Sequence, residues 1–196
     1  MYAWIRTGKL SCSTRDTADE LLIAVLDFMD RKYPEKYKTG EIFPGDYVPG
    51  VINWHGKLVP VPARFGFPGF QDNKLLINAR SETVAEKKTF ADSFWERRII
   101  LPATGFYEWS HDARKQKYLF SAEERSALYL CGIYKVVDNV CRFVILTREA
   151  NASMIETHDR MPVIVSADEV RPYLTDLNAA TEIIHGQAPV LSRSLA

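Results

Sequence analysis

Short apolar segments recur through the second half of this chain, each bounded by polar residues or turn formers. They are rich in Val, Ile, Leu, Phe and Tyr, whose branched or aromatic side chains pack well on a pleated surface. Segments of this length and composition favour β-strands over helices, so the fold contains sheet. The predicted strands cover residues 98–102, 105–109, 118–121, 127–136, 140–147 and 163–165.

One long helix precedes these strands. It is predicted over residues 19–33, because one face of that segment would carry Leu21, Leu22, Val25, Leu26 and Met29, and Pro34 follows it. Residues 189–196 are expected to be a loop or tail. Shorter helices are predicted within residues 83–94, 167–173 and 179–185. This mixture predicts an α+β fold, and because no repeat or linker stands out we assign residues 1–196 to a single domain.

A Pro- and Gly-rich stretch at residues 43–50 predicts a loop with a short edge strand. Next comes a predicted hairpin whose strands cover residues 51–54 and 57–62. It is followed by residues 64–70 (RFGFPGF), where two glycines and a proline argue against a regular helix or a central strand. The aromatic rings of this loop either fill the core or form a surface on which a flat group can stack.

The charge balance excludes a strongly basic, non-specific nucleic-acid binder, because Lys+Arg and Asp+Glu are both 25. The three cysteines, Cys12, Cys131 and Cys141, are an odd number without metal-ligand spacing, which disfavours a disulfide scaffold and fits a reducing compartment. No segment has the pattern of a secretory signal or a membrane span. We therefore expect a cytoplasmic protein without membrane contact.

No motif in the sequence predicts a cofactor. It contains no Walker loop, dinucleotide fingerprint, zinc pattern or nucleophile elbow. We therefore expect neither a cofactor nor a metal, and we expect a monomer. The basic pairs Lys87-Lys88 and Arg97-Arg98 are interpreted as solvated surface.

Three polar spots are unusual for their local context. Asn78 and Arg80 end an apolar segment, where they are either a helix cap and a surface residue or donors to a ligand and its phosphate. Glu108 lies among aromatic residues and is either a desolvated general acid or, if strand alternation points it outward, a solvated residue. His158 and Arg160 precede Met-Pro in a loop that can supply a proton donor and a phosphate ligand, although a lone His is usually structural.

Taken in order, these segments resemble the SRAP family, the SOS-response-associated proteins that recognise abasic sites in single-stranded DNA. The matching segments are INARSET at 77–83, PATGFYEW at 102–109, FVILT at 143–147 and HDRMP at 158–162. The loop at 64–70 is similar to the family's Trp-Gly loop, with Phe65 in the place of the Trp. The resemblance covers about residues 40–175. It implies curved, mostly antiparallel sheets with a few flanking helices around a positively lined DNA groove.

The resemblance also implies a set of site residues and a partner, single-stranded DNA with abasic sites. Asn78 would position the attacking group and the sugar, Glu108 would shuttle protons, and His158 would assist opening of the sugar ring. Arg80 and Arg160 would hold flanking phosphates without reading base sequence. The residues that would wedge or stack beside the lesion are Pro44, Phe65 and Phe67.

The chain departs from the family pattern at its start. Members are similar in a Met-Cys-Gly-Arg start, whose Cys becomes N-terminal and captures the ring-opened sugar as a thiazolidine. Here the corresponding residues are Tyr2, Ala3 and Trp4, and the internal Cys12 has no free α-amine for such a ring. The resemblance therefore implies an abasic-site enzyme of the hydrolase or lyase type, but this start does not supply the residue that makes the family cross-link.

Two other functions stay open. The missing family Cys favours a non-catalytic module that binds single-stranded DNA and shields abasic sites. A Cys–His hydrolase or peptidase would pair His158 with Cys131 or Cys141. Both thiols lie in apolar strands, which favours inert core residues over a nucleophile.

Overall fold

The computed structural model describes residues 4–7, 17–70, 74–122 and 127–196. These residues form the predicted α+β fold. The helices are α1 (Thr17–Lys32), α2 (Ala91–Glu96), α3 (Val170–Thr175) and α4 (Leu177–His185), with a 3₁₀-helix at Ser81–Thr83. The strands are β1 (Trp4–Thr7), β2 (Gly40–Ile42), β3 (Tyr47–Trp54), β4 (Lys57–Phe65), β5 (Phe67–Pro68), β6 (Leu75–Leu76), β7 (Asn78–Arg80), β8 (Arg98–Ala103), β9 (Gly105–Trp109), β10 (Lys117–Ser121), β11 (Leu128–Val137), β12 (Val140–Glu149), β13 (Arg160–Pro162), β14 (Ile164–Val165) and β15 (Ser192–Leu195).

Five strands form a closed ring. β4 pairs with β3, β3 with β8, β8 with β11 and β11 with β12, all antiparallel. β12 then returns to β4 through a short parallel pairing, which sets Arg142 opposite Arg64 and Phe143 opposite Phe65. We call this pairing the parallel seam. Closure gives every strand of the ring a neighbour on both sides, so the main sheet avoids an exposed edge there.

The predicted hairpin is confirmed, but the predicted edge strand is wrong. β3 and β4 pair along their length around a turn at His55 and Gly56, whose φ angles of 51° and 81° fit a type I′ turn. Residues 47–50 belong to β3, which lies between β4 and β8. Pro49 is tolerated in this central strand because it lies opposite Pro62 and outside the registered pairs with β8.

The second sheet has the strand order β15-β10-β9-β1-β2, and all its pairings are antiparallel. Its outer strand corrects the prediction that residues 189–196 are a loop or tail. Ser192–Leu195 form β15 against β10, although all four side chains are exposed. The backbone groups at the edge of β10 hold this strand, so it leaves no apolar pattern in the sequence.

Each face of the ring packs against a different core. The face that carries Ile100 and Val144 packs against the four helices, and we call it the helix face. The face that carries Ile99 and Phe143 packs against the second sheet, and we call it the sheet face. Side chains alternate along each strand, so neighbouring residues in the ring belong to different cores.

The long helix is confirmed as α1, which ends before Pro34 and buries Leu22, Val25, Leu26 and Met29. The short helices near the C-terminus are present as α3 and α4. The helix predicted within 83–94 is wrong in extent. The backbone closes separate turns on the carbonyls of Thr83 and Lys87 before α2 begins. Among the helices of the described ranges, none is long and apolar enough to cross a membrane.

Arg98 corrects the interpretation of its basic pair as solvated surface, because its side chain is buried. It donates to the carbonyls of Phe94 and Trp95 in α2 and of Tyr173 and Leu174 in α3. Carbonyls in the last turn of a helix lack an intrahelical donor, so a buried guanidinium is a suitable partner. Arg98 therefore joins the C-terminal ends of two short helices.

Candidate functional site

Two of the four matching segments, at 77–83 and 158–162, flank one end of β12, which contains a third. β7 runs parallel to β12 and sets Asn78 opposite Ile145 and Arg80 opposite Thr147. β13 pairs with β12 antiparallel and sets Pro162 opposite the same Thr147. The motif that contains Asn78 and the motif that ends at Pro162 therefore lie on either side of a single strand.

An ion pair links these two motifs. Arg160 Nη1 is 2.6 Å from Glu82 Oε1, and Arg160 Nη2 is 2.8 Å from Glu82 Oε2. Nη2 also donates to the carbonyl of Thr147 at 2.6 Å. The hydrogen bond from Arg160 lowers the pKa of Glu82, and only 14% of the Arg160 side chain is exposed. The guanidinium predicted to hold a phosphate thus already has a carboxylate partner, whereas Arg80 is exposed.

Glu108 lies on β9 and is only 2% exposed. It shares a strand face with Phe106, which is also buried, so alternation directs Glu108 into the molecule and not into water. Its Oε1 accepts a hydrogen bond from the backbone N–H of Trp109 at 3.3 Å. A carboxylate withdrawn from water in this way is suited to proton transfer.

His158 is also buried and contacts two residues of its own loop. The N–H of Arg160 donates to Nδ1 at 3.0 Å, and Asp159 Oδ1 lies 2.7 Å from the same nitrogen. These contacts require opposite protonation states of Nδ1. Burial, together with the nearby His111, lowers the pKa of His158 below its ordinary value. The lowered pKa makes the neutral ring the main form of His158 at neutral pH, in which Nδ1 can accept from the Arg160 N–H.

His111 belongs to this cluster and was not predicted. Its ring centroid is 4.2 Å from that of His158, in an edge-on arrangement. It lies three residues after Glu108, in the polar turn that follows β9, where no periodicity or motif marks it. The His111–His158 contact brings the end of β9 to the His158 loop. Together with the Glu82–Arg160 ion pair, it connects the segments that contain Asn78, Glu108 and His158.

The structure contradicts the prediction that Phe65 and Phe67 stack on a base, because both rings are fully buried. Phe65 stacks on Phe143 with centroids 4.9 Å apart, and Phe67 lies in the core on the helix face. Gly66, with φ of 102°, turns the chain between β4 and β5 and lets the two rings enter different cores. The alternative interpretation, that these rings fill the core, is confirmed.

Other parts of the predicted contact surface do face solvent. Pro44 is exposed between β2 and β3. Phe70, at the end of the aromatic loop, is 89% exposed. The loop itself begins later than predicted, because β4 continues to Phe65 as a strand of the ring.

The described thiols do not have the setting of a catalytic nucleophile. Cys131 is buried, and burial raises its pKa well above the ordinary value. Burial likewise raises the pKa of Cys141 to about 12. An activated thiol needs the opposite shift. Cys12 lies outside the described residues, and within the described ones no group of three His, Cys, Asp or Glu is arranged to hold a metal ion.

The N-terminal strand lies beside the Glu108 strand. β1 pairs with β9, which sets Trp4 opposite Tyr107 and Ile5 opposite Phe106. Tyr2 and Ala3, which stand where the family pattern has Cys and Gly, lie outside the described residues. The first described residue of the chain is therefore opposite the immediate neighbour of Glu108.

Comparison with known proteins identifies relatives of this chain. Abasic site processing protein YoaM of Bacillus subtilis is 33% identical over 147 residues, which are 69% of this chain and 63% of YoaM. Abasic site processing protein YedK of Escherichia coli is 29% identical over 167 residues, 81% of this chain and 75% of YedK. The match to YoaM thus spans less than two thirds of that relative.

Solved structures share the fold. A phage-related protein from Bordetella bronchiseptica superposes with a TM-score of 0.73 at 21% identity, over 99% of this chain and 93% of that one. A protein from Bacteroides thetaiotaomicron gives a TM-score of 0.73 at 18% identity, over 100% and 91% of the two chains. The sequence model of SOS response associated peptidase (SRAP) matches residues 8–193. With nearly the whole chain inside that match, this protein belongs to the SRAP family.

Proposed function

We propose that this protein recognises abasic sites in single-stranded DNA and processes them with Asn78, Glu108 and His158. The observation that carries the proposal is the contact of His111 with His158, which brings the β9 strand of the buried Glu108 to the buried imidazole. Membership of the SRAP family and the relatives named abasic site processing proteins support the same substrate.

The chemistry of an abasic sugar suits a buried carboxylate and a neutral imidazole. The sugar reacts as its open aldehyde, and opening breaks the bond between C1′ and O4′. The C1′ hydroxyl loses a proton and O4′ gains one, so a single carboxylate can carry that proton from one oxygen to the other. We assign the transfer to Glu108. His158 stabilises O4′ by donating from Nε2, and the Asn78 amide orients the sugar.

The burial of Glu108 and His158 favours single-stranded over double-stranded DNA as the substrate. Both are buried, so a sugar must leave the base stack to reach them. Extrusion costs least in a strand that has no partner, which favours single-stranded DNA. Arg80 is exposed and is proposed to hold a flanking phosphate. Arg160 is proposed to contact a second phosphate while it stays paired with Glu82. We propose that the protein works as a monomer in the cytoplasm, where its free thiols stay reduced.

A second candidate function is a non-catalytic module that binds abasic sites and shields them. The observation that favours it is Tyr2, which stands where the family has its nucleophilic Cys. The two candidates share the substrate and differ in whether any bond forms to the sugar.

Binding and trapping experiments test both candidates. We expect fluorescence anisotropy to give tighter binding to a single strand with one abasic site than to the same strand without it. Borohydride reduction followed by intact-mass measurement then distinguishes the two functions. An enzyme that forms an imine between one of its amines and the sugar aldehyde leaves a trapped adduct, whereas a non-catalytic binding module does not. Equal affinity for lesion and intact strands would contradict both functions.

A further inference from the structure

A row of positive side chains crosses the helix face of the ring, away from the candidate site. Arg64 on β4 lies opposite Arg142 on β12 across the parallel seam, and Arg142 lies opposite Lys135 on β11. Residues directly opposite one another share a sheet face. We call Arg64, Arg142 and Lys135 the cation row. On β3 the row continues with Tyr47, whose ring lies under the Arg64 guanidinium at 5.7 Å.

No carboxylate of the described chain forms a salt bridge with the cation row. Arg64 Nε donates to the carbonyl of Gly45 at 3.0 Å, and Arg142 Nη1 donates to the carbonyl of Gly66 at 3.3 Å. Arg142 Nε is shielded from solvent and meets no acceptor among the described residues. Backbone carbonyls therefore hold the two guanidiniums in place and leave their charge uncompensated.

Repulsion between the three positive charges of the cation row lowers the stability of the folded protein when no anion is bound. Like charges directly opposite each other on a sheet destabilise it. Lys135 lies half-buried with Nζ 4.4 Å from the centre of the Phe67 ring, and burial and Arg142 together lower its pKa. Like charges held together without a carboxylate partner among the described residues are typical of a site that binds an anion.

A cavity continues the row beyond Tyr47. Its volume is about 520 Å³, and its lining consists of Glu35, Lys36, Tyr37, Lys38, Tyr47 and Pro62. Lys38 is paired with Asp46, and Lys36 is exposed. Adjacent strands are about 4.8 Å apart, so the cation row spans roughly 10 Å and extends toward a cavity lined by two tyrosines.

The row is separate from the Asn78, Glu108 and His158 site. Arg142 precedes Thr147 by five residues on β12, which places them about 16 Å apart along the strand and on opposite faces. Thr147 lies between β7 and β13, beside the candidate site. A ligand on the cation row therefore cannot be the sugar that reaches Glu108.

We propose that the cation row binds successive phosphates of a nucleic-acid strand outside the lesion, as a second contact on the opposite face of the ring. This inference rests on the proposed function, which supplies the nucleic acid. The three cations lie on adjacent strands, so a row of about 10 Å is long enough to contact successive phosphates of one nucleic-acid strand. The tyrosine at its end offers a ring on which a base can stack.

The test compares a double variant, Lys135→Gln with Arg142→Gln, with a matched control, Lys57→Gln with Arg171→Gln. Both remove two positive charges, and the control residues are exposed and outside the row. Each protein is titrated with a long abasic strand of 20 nucleotides and with a short one that has two nucleotides on either side of the lesion. Only the long strand reaches the row.

For the long strand, we expect the double variant to flatten the slope of log K against log salt by about 1.4 and to weaken binding roughly 25-fold at 0.1 M salt. For the short strand it should bind like the wild type, and Lys135→Arg with Arg142→Lys should restore the long-strand affinity. Melting temperature should stay equal or rise, because a like-charge contact is removed.

Unchanged long-strand binding by the double variant would overturn the inference and leave the proposed function intact. A wild-type protein that binds neither strand would overturn both together. Pyrophosphate that raises the melting temperature of the wild type but not of the double variant, with equal long-strand affinity in both, would assign the row to free phosphate and also overturn the inference.

Discussion

Glu108 is buried on β9, where its Oε1 already accepts from the Trp109 backbone. Replacing it by Gln keeps the shape of the side chain and removes its ability to carry a proton. We predict that Glu108→Gln slows formation of the borohydride-trapped adduct by about 100-fold or more, and changes the affinity for abasic DNA by less than about threefold. An exposed carboxylate on α2, changed as Glu96→Gln, is the control. Loss of binding with an unchanged trapping rate would contradict the assigned role.

His158 makes stability depend on pH in a direction set by its pKa. Burial lowers that pKa in the folded protein, so the unfolded chain binds the proton more readily. The unfolding free energy should therefore fall as pH drops below about 6.5 and should be flat above it. We predict that His158→Gln reduces this slope in urea unfolding between pH 5 and 7.5. His185→Gln, at the exposed end of α4, should leave the slope as in the wild type.

At the scale of elements, β1 pairs with β9 and sets Trp4 opposite Tyr107, the neighbour of Glu108 in the chain. This pairing motivates a test of whether the family's Cys-Gly-Arg start can act together with Glu108. We predict that Tyr2→Cys, Ala3→Gly and Trp4→Arg together create a heat-stable cross-link to abasic single strands, measured by intact mass. The same protein with Glu108→Gln should cross-link more slowly. A repaired chain that folds and binds abasic DNA without cross-linking would mean that the site lacks more than a thiol.

Arg98 links the C-terminal ends of α2 and α3 through hydrogen bonds to backbone carbonyls of both helices. Arg98→Met would leave the α2 and α3 carbonyls without donors in a buried setting. We predict a loss of about 3 kcal/mol or more in the free energy of unfolding, measured by denaturant titration. Arg97→Met removes a partly exposed side chain paired with Glu96 and should cost less than about 1 kcal/mol. Equal losses for the two variants would contradict the role of Arg98.

The strands were predictable where side chains decide the structure. The apolar segments from 98 to 147 became β8 to β12 with small shifts at their ends, because their own residues fill the two cores. β15 was not predictable, because its exposed residues pair through backbone groups. The prediction of an edge strand at residues 43–50 was wrong because Pro49 lies opposite Pro62, a pairing that the sequence does not show.

The contacts around the candidate site could not be predicted from the sequence. The motifs predict Asn78, Glu108 and His158 as site residues, but nothing in the sequence indicates the ion pair between Glu82 and Arg160. Residues so far apart along the chain become neighbours only through the pairing of β7 and β13 with β12. The burial of Phe65 could not be predicted either, because an aromatic ring after Arg64 can fill a core or form a surface.

For the whole molecule, zero formal net charge means that DNA binding depends on where positive charge is concentrated. We predict tighter binding to single strands than to intact duplex, with affinity falling as salt rises. Arg80→Gln should flatten the salt dependence by about 0.7 for one lost phosphate contact, and Arg171→Gln should leave it unchanged. Fluorescence anisotropy from 50 to 300 mM salt measures both. Equal or tighter binding to duplex would contradict this preference.

The parallel seam also governs how the ring closes during folding. The antiparallel pairings β3–β4 and β11–β12 join neighbours in the chain, whereas the seam joins residues 64–65 to 142–143 and must overcome the entropy of closing a long loop. It is therefore expected to form late and to open early in local unfolding. A nucleic-acid strand bound to both Arg64 and Arg142 would link the two strands of the parallel seam, so its binding would also stabilise the closed ring against local unfolding.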